Sequence, residues 1–274
     1  MSPTSEETKQ FYDKVGWTLV DGKTVDEQLF GNREMGPIRM ALEKERAARL
    51  REALRLAGPP LNLVEVGCGG NPGIMLVDMC SQYTGVDFSL TGLEVARQRL
   101  APTGISFVLK QASAMELPFS DQSFDSAYSA HVLYHIPKVE DQATAFREIA
   151  RVVRRGGVAV FIMANPHPLL FPVRLTMRLL VDTPYLGDVL NRLRPKPPLP
   201  YRPMAISWMR AQLAPFGEVS VICHSLDSTW FNQHVSEHSM FGKLLWAIFH
   251  RVERRFARNI AYLGNYIQIV LHKR

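Results

Sequence analysis

The sequence predicts an α/β fold, a doubly wound and mostly parallel sheet of seven strands. Three observations lead there. Short apolar runs alternate with helical stretches from about residue 61 onward, the first run enters a glycine-rich turn, and the second ends on an acid. Such alternation builds βαβ units and a parallel sheet covered by helices on both faces.

From Arg39 to Ala57 the chain is rich in Ala, Leu, Glu and Arg, with Met40, Ala47, Leu50 and Leu54 at helical spacing, and it stops at Gly58-Pro59-Pro60. Five apolar runs follow, at Leu61 to Val66, Tyr83 to Val86, Ile105 to Leu109, Ser126 to Ser129 and Val158 to Met163. Helical stretches lie between them, among them Thr91 to Leu100 and Ala143 to Val153, the latter closed by Gly156-Gly157. After Ala164 the texture changes. Nine prolines fall between Pro166 and Pro203, interleaved with Phe171, Arg174, Met177, Arg178 and Leu179, which reads as an inserted cap. A helix (Ala205 to Leu213), a strand (Val219 to Cys223), a second insertion with a helix (Met240 to Arg258) and a final strand (Tyr266 to Leu271) complete the chain. The last strands thus form a pair with a long excursion between them.

At 274 residues and 46% hydrophobic content the chain can bury a substantial core. The start is polar and acidic, and no apolar stretch approaches the roughly 18 residues of a membrane span, so a soluble, cytoplasmic protein is expected. Cys68, Cys80 and Cys223 form no CxxC pair, which argues against a disulfide framework or a zinc site. Residues 1–165 carry 18 Lys+Arg against 20 Asp+Glu, and residues 166–274 carry 14 against 6, so the net +6 divides into −2 and +8. The basic surplus belongs to the last part, where it suits either an acidic partner or plain solubility.

The most informative stretch is Val64-Glu65-Val66-Gly67-Cys68-Gly69-Gly70-Asn71-Pro72-Gly73, a strand running into a turn whose small residues admit a ligand close to the backbone. Asp87 ends the next strand, 22 residues after Glu65, where an acid can accept hydrogen bonds from both hydroxyls of a ribose. A dinucleotide would need a third glycine where this chain has Pro72, and Glu65 would repel phosphate while suiting an ammonium.

With Ala112-Ser113-Ala114-Met115-Glu116-Leu117-Pro118-Phe119, Ser123-Phe124-Asp125-Ser126 and the run Phe146 to Gly157 following in order, the sequence resembles the class I S-adenosylmethionine (SAM)-dependent methyltransferases, in particular the type 11 group that includes ubiquinone and menaquinone biosynthesis enzymes. The resemblance covers about residues 61–163. It implies a Rossmann-like methyltransferase fold with an N-terminal helical lid (1–60), a SAM-binding core (61–164) and a substrate cap with C-terminal strands completing the same domain (165–274). It also implies that Glu65 and the Gly67, Cys68 and Gly69 backbone face the methionine end of SAM, that Asp87 takes the ribose, and that Phe88 lies beside the adenine. Ala114, Met115 and Ser129 would complete the cofactor pocket. Ser113 stands where the family commonly has Asp, which weakens or shifts the hydrogen bond to the adenine amine. Tyr12, in Gln10 to Trp17, would bond the methionine carboxylate from the lid, with Arg39 paired to it.

Methyl transfer from a sulfonium asks chiefly for alignment, and for a general base only when the acceptor must lose a proton. In Ser129-Ala130-His131-Val132-Leu133-Tyr134-His135, the loop beside the methyl group in such enzymes, His135 is the first candidate base and His131 the second; either could instead be structural. Their spacing imitates a metal pair, as does that of His234 with His238, but no carboxylate cluster accompanies either, so no metal is expected. The apolar and aromatic cap, with Trp230 and Phe231, points to a small hydrophobic acceptor: an aromatic metabolite, quinone precursor, polyketide or lipid. Methylation of RNA or protein and SAM binding without catalysis stay open as alternatives, although no nucleic-acid module is recognisable. Residues 240–258 form a basic amphipathic helix that either covers the sheet or meets an anionic membrane.

Overall fold

A computed structural model of the protein describes residues 5–20, 23–30, 35–168, 199–228, 231–232 and 235–274. Most of the expected proline-rich cap, with Phe171, Arg174, Met177, Arg178 and Leu179, lies outside them, as do Trp230 and His234. Ahead of the sheet come α1 (Ser5–Phe11), a π-helical turn (Tyr12–Gly16), a ribbon of β1 (Leu19–Val20) and β2 (Lys23–Thr24), α2 (Val25–Phe30) and α3 (Pro37–Arg55). The sheet is built from β3 (Leu61–Val66), β4 (Cys80–Asp87), β5 (Phe107–Gln111), β6 (Phe124–Ala130), β7 (Val153–Ala164), β8 (Gly217–Ser225) and β9 (Tyr266–Lys273), in the order β5-β4-β3-β6-β7-β9-β8. Only β9 runs against the others, between β7 and β8. This is the mostly parallel seven-stranded sheet that the sequence predicts.

Both faces are covered. Along β7, Ala159, Phe161 and Met163 enter one core cluster while Val158, Val160 and Ile162 enter the other, the two-residue period of a strand buried on both sides. On the first face α5 (Val139–Val152) contributes Phe146 and Ile149, and α6 (Ile206–Leu213) contributes Met209 and Leu213. On the second, α3 packs Leu50 and Leu54, and α4 (Leu90–Leu100) packs Leu100. Each such side chain contributes roughly 1.5–3 kcal/mol on burial. Three- and four-residue spacing of Ala145, Phe146, Ile149 and Ala150 sets the buried stripe of α5, and Glu140 and Asp141 suit its positive start.

Two boundaries differ from expectation. β5 begins at Phe107 and not at Ile105, because its register aligns Phe107 with Tyr83 and Gln111 with Asp87. Gly156-Gly157 does not close α5, which ends at Val152; the pair lies in β7, where the ladder with β6 skips from Val153 to Val158.

The last helix, α7 (Met240–Phe256), lies beside α3 and runs in the same direction, since Arg39 stacks on Trp246 at 4.6 Å and Arg46 meets Glu253, equal steps along both helices. Burial makes that second contact the anchor. Arg46 donates to Glu253 at 2.7 and 3.1 Å, to Glu43 at 2.7 Å and to Asp227, with Asp227 and Glu253 themselves buried. At the start of α3, Glu237 accepts from the Ile38 and Arg39 N–H groups at 2.8 and 3.1 Å. Arg46→Ala should lower stability by about 3–5 kcal/mol because it removes the guanidinium that two buried carboxylates share. Arg51→Ala, which breaks the pair with the exposed Asp78, should cost under about 1 kcal/mol. Urea unfolding of both variants checks this, and equal losses would show that the buried cluster does not hold the two helices.

Candidate functional site

β3 delivers Glu65 and Val66 into the turn 67–73, placed where strand order reverses between β4 and β6, the crevice in which open α/β sheets bind ligands. Gly67 and Gly69 adopt φ of 81° and 48°, a left-handed conformation that favours glycine. The Gly67 and Cys68 N–H groups donate to the Val86 carbonyl at 2.7 and 3.1 Å, which ties the turn to the end of β4. A Cβ at Gly67 would collide with Val132, and one at Gly69 with the Trp17 indole. The turn is therefore roofed from two sides.

Two buried carboxylates flank it. Glu65 accepts from the Tyr83 hydroxyl at 2.6 Å and the Gly73 N–H at 2.8 Å, and burial pushes its carboxyl up to about 7. Asp87 accepts from the Gly69 and Ser89 N–H groups, each at 2.8 Å, and burial pushes it up to about 6. Neither makes an ion pair among the described residues, and the neighbouring charges felt, Asp87 at Glu65 and Asp13 at Asp87, have the same sign. The site thus holds negative charge without a cation.

Other predicted residues gather around this pair. Phe88 follows Asp87, and its carbonyl accepts from the Gln111 side chain at 3.0 Å, while the Asp87 carbonyl accepts from the Ala112 N–H at 3.0 Å. These bonds hold the turn Ser113 to Glu116 beside the end of β4. Ser113 Oγ accepts from the Met115 N–H at 3.2 Å, and Ala114 and Met115 pack against the core from the partly buried side. Cys68 is buried, with its thiol pushed well up by lost hydration. Ser129 is buried near the end of β6, its hydroxyl without a hydrogen-bond partner among the described residues.

Tyr12, from the N-terminal segment, joins them. It stacks on Trp17 at 5.2 Å, meets Phe88 edge-on at 6.2 Å, and lies near enough to Asp87 for that charge to raise its phenol further beyond the effect of burial. Asp13 fastens the segment, accepting from the Ser89 hydroxyl at 2.6 Å and, through its carbonyl, from Thr91 at 3.0 Å. Arg39 does not join. Its guanidinium lies over Trp246 and donates to the Asn232 carbonyl, among Asp227, Glu43 and Glu237, so α3 turns it toward the C-terminal segments and not toward Tyr12.

Both candidate histidines lie beyond β6. His135 Nδ1 is 2.6 Å from the Pro200 carbonyl, so Nδ1 carries the proton, and Nε2 keeps a lone pair with no protein partner among the described residues. Burial lowers its pKa. His131 is exposed, and its pKa is lowered to about 4 by lost hydration from the protein around it and by the neighbouring His135. Its φ is 61°, strained for a residue with a Cβ, and its Nδ1 meets the Tyr134 hydroxyl at 3.0 Å. Tyr134 also hydrogen-bonds Tyr266 and contacts the Tyr201 ring at 5.4 Å.

Sequence reasoning did not single out Trp17, Tyr83, Tyr134 or Tyr266 as site residues. For Tyr83 a signal existed: parallel pairing of Leu63 with Tyr83 puts Glu65 one step along the same face. For Tyr266 none did, since β9 brings it to His131 from the far end of the chain.

Residues 64–161 match the family of methyltransferase domains. The chain is 31% identical over 125 residues to a fatty-acid O-methyltransferase of Mycolicibacterium smegmatis, covering 44% of this chain and 43% of that protein. It is 37% identical over 117 residues to a demethylmenaquinone methyltransferase of Desulfitobacterium hafniense, covering 40% and 45%. The aligned region thus spans less than half the length of these curated relatives. In fold, it superposes on geranyl diphosphate C-methyltransferase of Streptomyces coelicolor with a TM-score of 0.60, at 15% identity over 100% of this chain and 98% of the other. The segment that holds the glycine turn, Glu65 and Asp87 is thus similar to the methyltransferase domain of SAM-dependent methyltransferases.

Proposed function

We propose that the protein acts in the cytoplasm and transfers a methyl group from SAM to a small, largely apolar acceptor. The observation that carries this reading is the buried pair Glu65 and Asp87, two carboxylates beside a glycine turn with no cation of their own among the described residues. Such a site favours a ligand with positive charge and hydroxyl donors. SAM fits: its ribose hydroxyls suit the free lone pairs of Asp87, and its cationic end suits the turn beside Glu65. When bound, it supplies a methyl group on a sulfonium, an already activated leaving group.

The chain's own residues then position and exclude. Residues 1–60 act as a lid, with Trp17 and Tyr12 shutting water from the turn; residues 61–164 form the core, and residues 165–274 add the acceptor side while completing the same sheet. Such alignment supplies roughly 7–11 kcal/mol. For a hydroxyl acceptor, His135 Nε2 takes the proton as the new O–C bond forms, with Nδ1–H steadied by the Pro200 carbonyl. The named activities of the relatives, on a fatty acid and on demethylmenaquinone, support an apolar acceptor here.

Asp87→Ala should weaken S-adenosylhomocysteine binding at least about a hundredfold, because two charge-assisted hydrogen bonds of roughly 1.5–3 kcal/mol each are lost. Calorimetry measures it; unchanged affinity with an intact circular dichroism spectrum would remove the site. His135→Ala should lower turnover of a hydroxyl acceptor by about 10²- to 10⁴-fold while leaving cofactor affinity near wild type. Turnover equal to wild type across the pH range would make this histidine structural.

The carboxylates also set a pH dependence. Folded values of about 7 and 6, above the ordinary 4.5 and 3.8, mean that the unliganded fold binds protons that the unfolded chain has released. Their contribution to stability is complete below about pH 4 and is lost as pH rises to about 7. Cofactor affinity should rise over the same interval. Melting curves of wild type and Glu65→Gln between about pH 5 and about pH 7.5 check the sign. The wild type should lose stability relative to the variant as pH rises, and a gain would contradict the argument.

A further inference from the structure

No helix among the described residues is long and apolar enough to cross a membrane, yet α7 carries two apolar faces. The inner one packs Trp246, Phe249 and Val252 against α3 and β8. On the outer one Met240, Phe241, Leu244 and Ile248 stand 89%, 70%, 58% and 45% exposed, where a solvated surface helix places polar residues. The next two turns of that outer side carry Arg251, Arg254 and Arg255, all exposed, with Lys243 and Arg258 at the flanks. The one acid of residues 240–263, Glu253, is buried against Arg46, so no carboxylate of this segment offsets the cations. From the neighbouring α3, Glu45 reaches only His250, at 2.9 Å.

We propose that this outer face of α7 docks on an anionic lipid bilayer, with Phe241 and Leu244 entering the headgroup boundary and the arginines meeting lipid phosphates and carboxylates. Charge complementarity selects the occupant. A nucleic acid would answer the arginines but leave four large apolar side chains against water or phosphate. A second copy in antiparallel pairing would cover the apolar turns with Arg251, Arg254 and Arg255, burying cations without acids. A bilayer satisfies both halves at once, as interfacial helices do.

Direction adds a consequence. Arg154, at the start of β7, donates to the carbonyl of Ala57 just past the end of α3, whereas Gln268, level with Ile162 near the end of β7, donates to that of Arg49. So α3 runs against the parallel strands, and α7, which follows α3, begins at their carboxyl ends. The apolar turns of α7 therefore lie at the end of the molecule that carries the glycine turn. Access for a lipid-dissolved acceptor from that side rests on the proposed reading above; the docking itself does not.

The test is co-sedimentation of the full chain with phosphatidylcholine vesicles, with and without phosphatidylserine. The wild type should pellet only with phosphatidylserine, at about 0.05 M salt, and be released at about 0.5 M. The triple variant Arg251→Glu, Arg254→Glu, Arg255→Glu should partition roughly a hundredfold less. Phe241→Ser with Leu244→Ser should lose about tenfold or more without changing any charge. Melting temperature and S-adenosylhomocysteine affinity should match wild type in both variants, which separates this surface from the cofactor site. Wild type left in the supernatant at low salt overturns the proposal, as does vesicle binding unaltered in both variants. So do a dimer in sedimentation velocity that Phe241→Ser dissociates, and retention of duplex DNA in place of vesicles.

Discussion

Two carboxylates of like charge, Glu65 and Asp87, are buried at the mouths of adjacent parallel strands without a cation to answer them among the described residues. Desolvation of this kind is tolerated because each acid is supplied with donors from the local backbone or from Tyr83. Those donors shape the turn: Asp87 holds Gly69, Glu65 holds Gly73, and Val86 holds Gly67 and Cys68. The site is thus assembled by its own unneutralised charge. A positively charged ligand completes an electrostatic arrangement that the chain leaves open.

A second group of buried charges is arranged in the opposite way. Around Arg46, Asp227 and Glu253 are matched by guanidinium groups within the protein, so nothing external is called for. Its task is mechanical, to hold α7 against α3 and, through Glu237, to fix the start of α3. Arg39 belongs to this second group. This arginine is drawn away from the side of Glu65 and Asp87 because α3 presents it to Trp246.

What was legible in the sequence is what local chemistry dictates. The run from Val64 to Gly73 and the acid at Asp87 are strand ends, and a strand end announces itself by a change from apolar to small or charged residues. The succession of strands and helices along the chain followed from alternation, and β9 with its excursion from the spacing of the last apolar runs. Contacts between distant segments were not legible. Glu237 on the N–H of Arg39 and Glu253 on Arg46 join residues 198 and 207 apart, and no periodicity encodes such a pairing. The tyrosines about His131 escaped for the same reason: Tyr134 is local, but Tyr266 arrives on β9 and Tyr201 after the proline-rich stretch. Boundaries such as the start of β5 depend on inter-strand register, which an edge strand with exposed alternate residues leaves loosely specified.

The 207-residue separation between Arg46 and Glu253 also bears on how the chain reaches this state. During synthesis from the amino end, α3 exists long before α7, so Arg46, with only Glu43 beside it, and Arg49, which ends 3.4 Å from Glu253, wait without Glu253 while most of the polypeptide is made. Loop closure over such a distance is slow and comes after the local βαβ units have formed. The helix pair is therefore among the last contacts to close. Until it does, Leu42 of α3, fully buried in the finished fold, remains open to chaperones or to aggregation with other nascent copies.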